Sequence, residues 1–279
     1  MAWYRLEGRH DLPWRRTRDP YAVVISEVML QQTQVERVLP YYSAWLARWP
    51  DFEALAEASP ADVIEQWAGL GYNRRAVNLH RLAVSVVERF GGRLPRDEAE
   101  LRALPGIGPY TASAVRSFAF EESTAVMDTN VGRALARVFC GAATVRDAGE
   151  PAVAAVAGAV LPPSSARDHN LALMDLGAML CRARSPECGG CPVAAWCAWR
   201  LAGQPAGGSS TGRTERFEDT VRFARGRIVD ALRGGVEMTT EGLAQVLPVA
   251  HSARVGAYLE ALQRDGLVER DGRVWRLPR

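Results

Sequence analysis

Cys181, Cys188, Cys191 and Cys197 form the spacing C-x6-C-x2-C-x5-C, and four thiols this close constrain the intervening chain to wrap a small centre. Gly189, Gly190 and Pro192 supply the turns that such a wrap needs. Cys140 stands apart. Disulfides could use the same residues, but they belong to oxidising compartments. The opening stretch "MAWYRLEGRHDLPWRR" lacks the apolar core of a signal peptide. No segment reaches the ~18 continuous apolar residues of a membrane span. The expectation is a cytoplasmic protein, away from membranes, whose cysteines hold metal. Spacing alone suits zinc and a [4Fe-4S] cluster equally.

The 279 residues suffice for one large domain or two modest ones. With 34 basic and 32 acidic residues the formal charge is only +2. That is too slight to announce a nucleic-acid partner, so such a partner must be argued from where the charges sit. Every basic residue is arginine; the chain has no lysine.

Helical periodicity dominates the first 200 residues, which predicts an all-α fold. "DPYAVVISEVMLQQTQVERVLP" reads as one helix, opened near Asp19-Pro20 and closed before Pro40. Ser59 caps the next, and Gly91-Gly92 ends the one after. "GPYTASAVRSFAF", "DTNVGRALARVF", "EPAVAAVAGAVLP" and "RDHNLALMDLGAMLC" read as further helices. Residues 203–218 are rich in Gly and Ser and predict a linker. Residues 219–279 carry three helical segments and a hairpin around Asp271-Gly272, the outline of a winged helix.

"LPGIGPYTA", residues 104–112, joins two helices through Gly106 and Gly108. Glycines there let a ligand approach the backbone, and the following helix start, with Tyr110 and Thr111, favours an anion such as a DNA phosphate. Standing alone, the same turn is an ordinary tight connection.

It does not stand alone. The hairpin, an Asp some twenty residues downstream and the four-cysteine loop together resemble the endonuclease III and MutY branch of the helix-hairpin-helix DNA glycosylases. "DLPWR", "DPY", "SEVMLQQTQVERVLPYY", "GLGY", "LPGIGPYTA", "DTNVGRALAR" and "NLALMDLGAMLC" are similar to MutY-type adenine glycosylases in particular. The resemblance implies a two-lobed catalytic region over 1–202: a helical lobe of about 21–130 and a second lobe of 1–20 plus 131–202. The loop 181–197 would hold a [4Fe-4S] cluster. The implied partner is double-stranded DNA containing a mismatch or oxidised guanine, bound by a monomer.

Breaking an N-glycosidic bond needs an acid near the base and a carboxylate near C1′. Glu27 interrupts an apolar run beside Val23, Val24, Leu30 and Gln31, so desolvation should raise its pKa into the donating range. The resemblance makes it the acid for adenine N7. Asp128 would stabilise the sugar cation, and the same "DTN" is also an ordinary helix cap; a helix N-terminus favours its ionised form. Asn130 would orient that carboxylate or the attacking water. Bifunctional relatives place a lysine at the position of Tyr110; tyrosine forms no imine, so the enzyme should be a hydrolase that stops at the abasic site.

By resemblance, Leu12, Trp14, Arg15, Gln31 and Asp175 surround the extruded base. Gln32, Thr33, Leu70 and Tyr72 sit near the gap and the opposite base, and Gly106, Gly108 and Thr111 contact DNA. His10 and Asn73 depart from residues common in adenine glycosylases. Residues 219–279 are too short and too helical for the Nudix-like domain that such enzymes usually carry. The reading is therefore adenine opposite 8-oxoguanine or guanine. A thymine or uracil glycosylase for T·G mismatches is second, and a non-catalytic DNA-binding module third.

Overall fold

A computed structural model describes residues 1–208 and 216–279; the middle of the expected linker, 209–215, lies outside the described residues. Helices make up most of the described chain, and its strands form a three-stranded sheet near the C-terminus. Two compact units emerge. One comprises Met1–Val24, Arg96–Arg102 and the chain from Ile107 to the linker; the other comprises Ile25–Pro95, Ala103–Gly106 and the chain from the linker to Arg279.

This partition differs from the expected lobes in two respects. Residues 107–130 group with the N-terminal arm. The C-terminal segment is no separate body but part of the unit containing 25–95. The reason lies in packing: Ile64 and Val77 share one buried core with Ala224, Ile228, Leu259, Leu262 and Trp275, and burying apolar surface holds the segments together.

Local sequence accounts for most helix boundaries. Helix Pro60–Gln66 starts at Ser59, whose Oγ accepts from Asp62 N at 3.1 Å. Helix Arg74–Phe90 ends at Gly91, in the left-handed region at φ +59°. The expected helix from Asp19 to Pro40 is two helices, Pro20–Leu30 and Val35–Arg48. The polar run Gln31 to Gln34 offers no apolar face to continue the first, and Gln32 adopts φ +57°. Pro40 lies inside the second, against expectation. Pro40 has no N–H to offer the Glu36 carbonyl, and both residues lie on the exposed side of the helix.

Another expected helix also changes character. Ala166–Asp175 is α-helical, but Leu176–Leu180 widens into a π-helix before Cys181.

After the linker come helix Val221–Ala231, β1 (Met238–Thr239), helices Thr240–Gln245 and Val255–Arg264, then β2 (Glu269–Asp271) and β3 (Val274–Arg276). The sheet is antiparallel in the order β1-β3-β2, with Met238 and Arg270 both opposite Trp275. Gly272 makes the hairpin turn at φ +58°. This is the winged-helix-like outline.

Candidate active site

Asp128 caps helix Thr129–Cys140. Its Oδ1 accepts from the backbone N–H of Asn130 at 2.8 Å and of Val131 at 2.6 Å. Oδ2 receives a long 3.4 Å contact from Asn130 Nδ2. One oxygen thus holds the helix while the other is left weakly engaged. Arg133 fixes Asn130 from the far side: Nη2 donates to Asn130 Oδ1 and to Gly177 O, both at 2.8 Å, and Nε to Cys181 O at 2.8 Å. A Cβ on Gly177 would lie 2.6 Å from Asn130 O, so glycine is required for the π-helix to approach the cap. Sequence reasoning passed over Arg133 and Gly177; only the tertiary approach gives them a role.

Leu12, Trp14, Arg15 and Asp175 also come together in this unit. Leu12 and Trp14 are buried, and Asp175 is wholly so. Arg15 grips both Asp175 oxygens, at 2.6 and 2.7 Å, while Arg9 adds Nε at 2.7 Å and its N–H at 3.0 Å. Burial pushes the Asp175 carboxyl up, but the hydrogen bonds and charges of Arg15, then Arg9, outweigh it and hold it below its ordinary value. The carboxylate therefore clamps the N-terminal arm onto helix Ala166–Asp175. Arg167 Nη2 adds a bond to Arg15 O at 2.7 Å. His10, one of the departures, bonds Tyr4 O through Nε2 at 2.7 Å and packs on the Tyr4 ring.

In the hairpin, Gly106 has φ +81° and an added Cβ would lie 3.0 Å from Asn78 Cβ, so fold and packing both favour glycine. Gly108 is different: its backbone is extended at φ −93° and a Cβ would meet nothing within 4 Å. It heads helix Pro109–Phe118 with no side-chain cap. Tyr110 is half-buried and Thr111 buried in that helix's first turn.

The other unit holds Glu27, buried at 7 % exposure on helix Pro20–Leu30, and the loops carrying Gln31 to Thr33 and Leu70 to Tyr72. A residue missed by sequence reasoning ties those loops together. Arg75 is buried, and its Nη1 donates to the carbonyls of Val28, Met29 and Gln31 at 2.8, 3.0 and 2.6 Å. Nη2 reaches Thr33 Oγ1 at 3.0 Å and the carbonyls of Leu70 and Gly71 at 3.1 and 3.0 Å. Burial pulls the guanidinium down to about 10, still charged at neutral pH. Gln32 at φ +57° and Tyr72 at φ +48° adjoin its acceptors, and such backbone persists only where neighbours enforce it. Arg75 shares a helix face with Leu79, Leu82 and Val86, and an arginine in that apolar phase was the available signal.

The four cysteines line one cavity with Leu176, Val193 and Trp199. Among the described residues, no three His, Cys, Asp or Glu side chains are grouped to hold a metal ion. By chemistry alone a four-thiol set suits either zinc or an iron-sulfur cluster. Buried Arg137 lies beside them, 3.6 Å from Cys181 Sγ, stacked at 4.4 Å on Trp199 and donating to Arg182 O at 2.8 Å and Ala183 O at 3.1 Å. Its positive charge would offset thiolates bound to a metal centre in that low-dielectric setting. Gln204 Nε2 donates to Cys188 Sγ at 3.3 Å.

Residues 25–149 match the HhH-GPD superfamily of base excision DNA repair proteins, and residues 181–197 match the iron-sulfur binding domain of endonuclease III. The chain thus carries a [4Fe-4S] cluster, and the matched segment 181–197 is the one that contains Cys181, Cys188, Cys191 and Cys197. An adenine DNA glycosylase of Mycolicibacterium smegmatis is 44 % identical over 276 residues, covering 98 % of this chain and 93 % of its own. A thermostable thymine-DNA glycosylase structure superimposes with a TM-score of 0.67 at 32 % identity, over 72 % of this chain and 93 % of that one. An endonuclease III–DNA complex shares the fold, with a TM-score of 0.62 at 22 % identity over 72 % and 91 %. The chain belongs to the adenine DNA glycosylase family of the helix-hairpin-helix superfamily.

Proposed function

We propose that this protein hydrolyses the N-glycosidic bond of adenine opposite 8-oxoguanine or guanine in double-stranded DNA, as a monomer, and stops at the abasic site. The observation that carries the reading is Asp128, one oxygen capping a helix and the other only weakly engaged by Asn130. A cation developing at C1′ is stabilised by such a preoriented carboxylate. Glu27 donates its proton to adenine N7 as the C1′–N9 bond breaks. Asn130, braced by Arg133, orients Asp128 or the water that then attacks C1′. The helix start at Gly108 takes a DNA phosphate, and the adenine is extruded from the duplex before its bond is cut. Tyr110 offers no primary amine, so no Schiff base forms there.

The test is incubation with duplexes carrying A·8-oxoG, A·G, T·G and U·G, followed by identification of the released base. Free adenine, with strands that break only on hot alkali, is the expected result. Thymine release would favour the T·G reading, which the likeness to a thymine-DNA glycosylase supports. Tyr110→Lys should add strand cleavage and borohydride-trapped complexes. Such complexes with the unaltered protein would overturn the monofunctional reading.

A further inference from the structure

Helix Val221–Ala231 of the C-terminal segment starts beside the loops braced by Arg75. Between them, within one compact unit, lies a cleft of about 1020 Å³. One wall carries Gln32, Leu70 and Tyr72; the other carries Phe217, Arg222 and Arg227. The walls are fixed to each other. Beyond the shared core around Ile64 and Val77, Arg233 bonds the carbonyls of Ile64 and Glu65, and Gly234 N donates to Glu65 Oε1 at 2.5 Å.

Charge decides what the cleft accepts. Arg74 and Arg225 are both paired with Asp265, and Arg75 is buried in its loops. Arg37, Arg222 and Arg227 are exposed and, among the described residues, have no carboxylate partner. Aromatic surface accompanies them: Tyr72 is 42 % and Phe217 53 % exposed. The Arg222 guanidinium lies 4.7 Å from the Tyr72 ring centre and 4.8 Å from that of Phe217, and it donates to the Tyr72 hydroxyl. Unpaired cations interleaved with exposed rings are the composition that holds a nucleic-acid backbone with an unstacked base.

We propose that this cleft binds the DNA strand opposite the excised base: Arg37, Arg222 and Arg227 take its phosphates, and Arg222 is the positioning residue that fixes the Tyr72 ring against the opposite base. The proposal deepens the glycosylase reading and rests on it. It gives the C-terminal segment a task in reading the lesion although it is not a Nudix-like domain. The planar guanidinium can both stack on a ring and bond its hydroxyl, which an ammonium cannot do together.

The experiment compares the full chain with Arg222→Ala, Arg222→Lys, Arg227→Ala and Arg89→Ala. Arg89 is exposed at the opposite end of helix Arg74–Phe90 and serves as the charge control. Binding to a duplex bearing a non-cleavable abasic analogue is followed against salt, and single-turnover base release is measured with different opposite bases. Arg222→Ala and Arg227→Ala should each flatten the slope of log K against log salt by about 0.9, the loss of one phosphate contact; Arg89→Ala should leave it unchanged. Arg222→Lys should keep the slope yet lose several-fold of the preference among opposite bases. Unchanged slopes for both alanine variants overturn the cleft. A lysine variant that keeps the full preference overturns the positioning role. If the unaltered protein releases no base while the slopes still fall, the glycosylase reading fails and the strand-binding cleft stands.

Discussion

Asn130 touches both oxygens of Asp128, its N–H on Oδ1 at 2.8 Å and its side-chain amide near Oδ2 at 3.4 Å. Helix capping and candidate catalysis are therefore assigned to different atoms of one carboxylate. Asparagine caps a helix about as well as aspartate. Asp128→Asn should keep the melting temperature and the affinity for lesion DNA, yet lose base release by on the order of 10² to 10³-fold. Equal loss of binding and turnover would reduce Asp128 to a structural cap.

Gly177→Ala places a methyl group against the backbone of Asn130, where no rotamer can give way. A cost of about 1–3 kcal/mol is expected, measured by denaturant unfolding. The displaced Asn130 should lower the single-turnover rate while the dissociation constant for an abasic duplex stays constant. A full rate in a destabilised protein would separate Asn130 from the chemistry.

Arg75→Met should strip both loops of the guanidinium's bonds, leaving Gly71 O held by Trp67 Nε1 and the carbonyls of Gln31 and Leu70 by the Thr33 hydroxyl. Hydrogen bonds to charged groups contribute ~1.5–3 kcal/mol each, so a loss of about 3 kcal/mol is expected. Hydrogen exchange should accelerate first at residues 31–33 and 70–72, the strained segments that Arg75 holds. Uniform acceleration across the unit would show that Arg75 supports the core rather than the loops.

Asp175 links stability to pH. Arg15 and Arg9 depress its folded-state pKa against the opposing effect of burial, so its contribution is present above the unfolded carboxylate value of about 3.9 and is lost as pH falls through the lower folded value. Asp175→Asn should cost roughly 3–5 kcal/mol at neutral pH, because Arg15 stays buried without its partner. It should also flatten the acid limb of stability measured below pH ~4. An unchanged acid limb would assign that limb to other carboxylates.

The purified protein should be brown and carry about four irons per chain. Serine at Cys181, Cys188, Cys191 or Cys197 should reduce iron content and colour, while Cys140→Ser should alter neither. One zinc per colourless, active chain would refute the cluster.

Features written in adjacent residues were legible before any coordinates. The Ser59 cap, the Gly91 stop, the Asp128 cap and the cysteine spacing each depend on interactions within a few residues, so local chemistry is enough to announce them. The family-specific stretches likewise pointed to Glu27 and Tyr110. Tertiary structure decided what depends on segments far apart in the chain. The polar run Gln31–Gln34 marks the helix break locally, but only Arg75, more than forty positions on, satisfies the carbonyls that the break frees. The π-helix after Asp175 brings Gly177 against Asn130, and the C-terminal segment joins 25–95 because Ile64 and Val77 complete its core. Periodicity reports which face of a helix is apolar, but not which distant carbonyl, ring or glycine will meet it; that pairing is settled only when the buried surfaces close and every polar group among them must find a partner.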